Sequence, residues 1–126
     1  MAKLMNNSKG ENIEIRENLA TKNNIVQQFK MDIYDGKGLY ETGVSNTFWS
    51  RLIITAKIFQ PQNGVWKIKI RDKSNKNVLI YDNYHVLPDS EISFNYKTGL
   101  VTNFIIEASW NQSKDTILTG EISIRY

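Results

Sequence analysis

The chain reads as an all-β domain: an antiparallel β-sandwich of seven or eight strands with immunoglobulin-like or jelly-roll topology. Three observations predict it. Apolar residues recur with a period of two rather than 3.6, as in "VWKIKIRD", where Trp66, Ile68 and Ile70 alternate with Lys67, Lys69 and Arg71. Turn chemistry (DGKG, PQNG, KSNK, VLPDS, NQSKD) punctuates those runs at short intervals. The connections are too short for the crossovers that parallel strands need. A five-strand barrel of oligonucleotide-binding type is the alternative.

From the N-terminus, residues 1–10 are polar and read as a flexible leader, leaving 11–126 as a single sandwich domain. "NIEIRENL" alternates Ile13 and Ile15 with Glu14 and Arg16, and "IVQQFKMDIY" sets Phe29, Met31 and Ile33 against Gln28, Lys30 and Asp32. Both are strands. "DGKG" at 35–38 is a turn, because its glycines accept positive φ cheaply, and "LYETGVSN" follows as a short edge segment with a loop. "TFWSRLIITAKIFQ" presents Leu52, Ile54, Ala56 and Ile58 on one face and Trp49, Arg51, Ile53, Thr55, Lys57 and Phe59 on the other.

"PQNG" at 61–64 is expected to close a hairpin into "VWKIKIRD", and "KSNK" at 73–76 a second one into "NVLIYDNY". A four-residue second loop would oppose Ile70 to Leu79, Ile68 to Tyr81 and Lys67 to Asp82. "EISFNYK", "NFIIEASW" and "TILTGEISIRY" complete the set, with Trp66, Phe94, Tyr96, Phe104, Trp110 and Tyr126 in phase with the core. Two stacked sheets then bury one face of each strand.

Composition excludes several function classes. Cysteine is absent, so there are no disulfides or thiolate metal sites. A single histidine, His85, leaves neither a multi-imidazole zinc site nor the usual serine triad. Asp32 and Asp35 beside "DGKG" fall short of the six to eight oxygens that calcium takes. No nucleophile elbow or phosphate-cradling loop occurs, so neither cofactor, metal nor catalytic residue is expected, and the chain reads as a non-enzyme. A net charge of +3, with acids interspersed among bases, does not suggest a dedicated nucleic-acid binder. No run approaches the roughly 18 apolar residues of a membrane-spanning helix. The row Lys67, Lys69, Arg71 reads as the hydrated side of a strand.

The functional lead is aromatic. Tyr34 and Tyr40 flank "DGKG", Trp49 and Phe59 occupy the second face of the long strand, and Tyr84 adjoins His85, all out of phase with the core. Exposed rings stack on sugars and cations and also anchor protein interfaces. Trp49, Arg51, Ile53 and Phe59 are expected to form one apolar patch with a cation. The expected function is a non-catalytic module binding a glycan or protein partner through loops and one sheet face, on or outside a bacterial cell, its export signal removed. An inhibitor- or immunity-type interaction factor is the second reading, and single-stranded nucleic acid binding the third.

Overall fold

The computed structural model describes residues 3–6, 24–45, 51–97 and 101–126, with 3–6, 45 and 101 described by backbone alone. Nine strands occur among them: β1 (Lys3–Asn6), β2 (Asn24–Ile33), β3 (Lys37–Ser45), β4 (Arg51–Gln60), β5 (Trp66–Asp72), β6 (Val78–Val86), β7 (Glu91–Lys97), β8 (Val101–Trp110) and β9 (Thr116–Arg125). They form two antiparallel sheets, β1-β3-β8-β5-β6 and β2-β9-β4-β7. The protein is a β-sandwich, as the alternation requires.

The strand order is that of a jelly roll. β5 pairs with β6, β4 with β7, β3 with β8 and β2 with β9, so the two halves of the chain pair in reverse order about the turn at 73–77. β5–β8 and β4–β9 contacts then complete the two sheets.

The alternation along each strand becomes its two faces. In β2, Ile25, Gln27, Phe29, Met31 and Ile33 are buried while Val26, Gln28 and Lys30 are exposed. Inner faces of β4, β5, β8 and β9 supply Leu52, Ile54, Trp66, Ile70, Phe104, Leu118 and Ile124 to the same core. Each such side chain contributes about 1.5–3 kcal/mol on leaving water. One part of the core is polar: Gln27 Nε2 donates to the Tyr40 hydroxyl, and Thr42 Oγ1 donates to Gln27 Oε1 at 3.4 Å. Buried polar atoms need such partners, which ties β2 of one sheet to β3 of the other.

Four expectations are corrected. "PQNG" does not close a hairpin: β4 and β5 lie in different sheets, so residues 61–65 turn a corner between the layers. Turn residues set a change of direction, not the sheet that the next strand joins. "LYETGVSN" is no edge segment, because β3 runs nine residues between β1 and β8. Residues 3–6, expected within a leader, form the edge strand β1 beside β3. "NIEIRENL" lies outside the described residues.

The fourth correction is the β5–β6 register. Asp72 opposes Val78, so five residues intervene, and Lys76 and Asn77 both adopt positive φ (56° and 58°). Asp72 caps the 3-10 turn Lys73–Asn75 by accepting from the Ser74 backbone N–H at 2.9 Å. Irregularities between Trp66 and Ile68 and between Ile70 and Arg71 shift the pairing further. Ile70 therefore opposes Tyr81, Ile68 opposes Asn83, and Lys69, not Lys67, opposes Asp82.

Candidate functional site

The β2–β3 hairpin is built from "YDGK". Asp35 and Gly36 both have positive φ (52° and 80°), the requirement of a type I′ turn. Tyr34 and Lys37 exchange two backbone hydrogen bonds of 2.9 and 3.0 Å across it. The turn is also held from outside. Gly36 N–H donates to Lys114 O at 2.9 Å, Trp110 N–H donates to Gly36 O at 2.6 Å, and Asp35 N–H donates to Asp115 Oδ1 at 2.8 Å. A side chain at position 36 would meet Gln112 O at 2.7 Å, so glycine lets the hairpin press against the β8–β9 connection.

This frame sets the Tyr34 ring outward, 68% exposed, at the rim of an open concavity of about 770 Å³. Asp32, Lys37, Leu39, Glu107 and Ser109 line it with Tyr34. Leu39 is 63% exposed, an apolar surface among hydrogen-bonding groups. Tyr40, expected beside Tyr34 as an exposed ring, is instead 2% exposed. Its ring centroid lies 5.0 Å from that of Phe29 and its hydroxyl bonds Gln27. The two tyrosines flank one turn, yet one belongs to the surface and the other to the core.

The outer face of the five-stranded sheet is ordered in rows by register. Lys37, Ser109 and Lys67 are opposed across β3, β8 and β5. Leu39, Glu107, Lys69 and Asp82 form the next row, and Glu41, Ile105, Arg71 and Leu79 the one after. Arg71 Nε meets Glu107 Oε2 at 2.9 Å and Lys73 Nζ meets Glu41 Oε1 at 3.0 Å. Lys69 stands in register between Glu107 and Asp82, so of the three cations of "KIKIR" Arg71 is ion-paired and Lys69 is flanked by acids. Lys67 places its Nζ 5.0 Å from the Tyr84 ring centroid, a cation–π contact. Tyr84 is 62% exposed, and its hydrogen bond to Asp82, with the Asp82 charge, raises its pKa above the usual 10.0.

The opposite sheet carries the expected Trp49 patch. Trp49 itself lies outside the described residues. Arg51, Ile53 and Phe59 share the outer face of β4, Arg51 exposed and the other two half-buried. Ile53 and Phe59 are five intervening residues apart on extended chain, roughly 20 Å, with Thr55 and Lys57 between them, so neither touches the other along β4. Phe59 stands at an irregularity between Ile58 and Gln60 and lines a hollow of about 260 Å³ with Val26, Lys57, Glu91 and Glu121.

Among the described residues no three His, Cys, Asp or Glu side chains converge on a metal position. Asp72 is buried and accepts from the Tyr96 hydroxyl at 2.6 Å, a structural role. His85 is exposed, its N–H bonded to Asn83 Oδ1. Sequence reasoning missed Leu39, Glu107 and Ser109, which meet Tyr34 only through β3–β8 register. The available signal was the alternation of Tyr40, Thr42 and Val44 with Leu39 and Glu41, weak because its inward set contains threonine.

No protein-family model and no curated protein sequence matches the chain. Solved structures resemble it in chain path. A Yersinia pseudotuberculosis-derived mitogen is 12% identical with a TM-score of 0.48, over 80% of this chain and 83% of that one. A family 35 carbohydrate-binding module from Clostridium thermocellum is 9% identical at 0.47, over 80% and 90%. A family 61 module, TmCBM61, solved in complex with β-1,4-galactotriose, is 6% identical at 0.46, over 98% and 86%.

Proposed function

We propose that this protein is a non-catalytic glycan-binding module whose contact surface is the concavity rimmed by Tyr34. The observation that carries the reading is an exposed ring on a hairpin held by backbone bonds, facing a hollow that mixes Leu39 with Lys37, Glu107, Ser109 and Asp32. A sugar ring offers C–H groups for the aromatic face and hydroxyls for carboxylates, ammonium and serine. Rigidity of the Tyr34 turn lowers the ordering cost of capture. The hollow is open to solvent, which suits a segment of polymer better than a small molecule that needs enclosure. Glu107 is engaged by Arg71, a commitment that suits a fixed hydrogen-bond acceptor more than a proton donor in glycoside hydrolysis.

The test is electrophoresis through gels carrying soluble polysaccharides, comparing wild type with Tyr34→Ala. Wild type is expected to be retarded by at least one polysaccharide, without release of reducing ends, and the variant to migrate freely. Equal retardation of both would remove Tyr34 from the site.

A protein partner on the four-stranded sheet is the second reading, favoured by the hollow around Phe59. It predicts a stoichiometric complex with one protein that Phe59→Ala weakens and Tyr34→Ala leaves intact.

A further inference from the structure

We infer that the glycan is acidic and lies across the strands, its carboxylates met by Lys37 and Lys67 and its far end stacked on Tyr84. This rests on the glycan-binding reading of the Tyr34 concavity and adds to it a ligand class and a second aromatic position. Lys37, Ser109 and Lys67 stand in register on three adjacent strands, and β6 with Tyr84 borders the last of them. At about 4.8 Å per strand, the two lysines are roughly 10 Å apart and the β3 and β6 backbones about 14 Å apart. Tyr34 stands at one end of this line and Tyr84 at the other.

The charges along the row are unequal. Arg71 and Lys73 have carboxylate partners, and Lys69 is flanked by two acids. Lys37 and Lys67 are exposed, and neither has an ion pair among the described residues. A ligand carboxylate meeting such an ammonium forms a charge-assisted hydrogen bond without breaking an existing pair. Lys67 also steadies the Tyr84 ring, at 5.0 Å from its centroid, while leaving most of that side chain open. Glu107 and Asp82 stand in the neighbouring row, so the positive surface is confined to the line of Lys37 and Lys67.

The experiment is calorimetric titration of the protein with galacturonate oligomers, with neutral glucan oligomers of matched lengths, and with a single-stranded oligonucleotide. Galacturonate is expected to bind more tightly than glucan. Lys37→Gln with Lys67→Gln should lower its affinity about tenfold or more, at unchanged thermal stability. Tyr84→Ala should weaken long oligomers and spare short ones. If glucan binds as tightly as galacturonate and ignores the lysine pair, the acidic ligand is overturned while glycan binding stands. If Tyr84→Ala acts equally at every length, or not at all, the second aromatic position is overturned. Tighter binding of the oligonucleotide, lost in the double variant, reassigns the row to nucleic acid and overturns the inference. Absence of binding to glycans of either charge overturns the glycan-binding reading itself.

Discussion

Trp66 and Trp110 lie face to face, ring centroids 5.3 Å apart and planes within 7°, at opposed positions of β5 and β8. Trp66 is fully buried, and its indole N–H has no partner among the described residues. Trp110 is half-buried and donates its Nε1–H to Asn63 O at 3.0 Å, tying the stack to the corner after β4. Trp66→Ala should destabilise the fold by about 3–5 kcal/mol, read from the urea midpoint. Trp66→Phe should cost much less, because it deletes the unpaired N–H along with part of the ring volume.

That corner depends on Gly64. Its φ is +88°, and a Cβ there would sit 2.2 Å from Trp110 Nε1. Gly64→Ala should therefore lower stability by about 1–3 kcal/mol through backbone strain, before adding the cost of shifting the indole. A red shift in tryptophan emission should accompany it. An unchanged melting temperature would show that the corner adapts freely.

Tyr34 and Tyr40 should separate cleanly by what their substitution affects. Tyr40→Phe leaves the buried Gln27 amide without its hydroxyl partner and should cost about 1–3 kcal/mol. Tyr34→Ala, at an exposed position, should change stability by less than about 0.5 kcal/mol while abolishing polysaccharide retardation. Denaturant curves and affinity electrophoresis on the same preparations check both.

Alkaline pH should loosen the sandwich. Burial, then the hydrogen bond to Asp72, raises the Tyr96 pKa above 10.0, and burial alone raises that of Tyr126. A raised tyrosine pKa means that the folded state holds its proton longer than the unfolded chain. The stability linked to these groups is full below pH 10 and is lost as pH climbs through the folded values. Unfolding midpoints should fall above pH 10, and less steeply in Tyr126→Phe, which also removes a buried hydroxyl without a partner among the described residues. Asp72→Ala should bring Tyr96 back toward its ordinary titration and destabilise the protein even at neutral pH. It deprives both the Tyr96 hydroxyl and the Ser74 N–H of their acceptor.

Much of the molecule was legible one strand at a time. Phe29, Met31 and Ile33 alternate with Gln28, Lys30 and Asp32 in sequence, and in space they divide between core and outer face. "YDGK" announces its turn because Asp35 and Gly36 tolerate the backbone that a tight hairpin requires. Tyr40 was misplaced because β3 has a weak alternation, with Thr42 turned inward and Leu39 turned out. Arg51, Ile53 and Phe59 share a face in sequence and in space, but Ile53 and Phe59 stand too far apart along β4 to touch. Along a strand, sharing a face sets direction only.

Period-two burial and the turn positions, and with them a sandwich, follow from neighbours within a few residues of one another. Long-range pairing settled the rest: β4 and β5 part company at PQNG, Lys69 rather than Lys67 opposes Asp82, and Leu39, Glu107 and Ser109 gather beside Tyr34. These features join segments far apart in the chain. The backbone hydrogen bonds that make such pairs are the same for every residue type, so partner and register are selected by how all the inner faces pack at once.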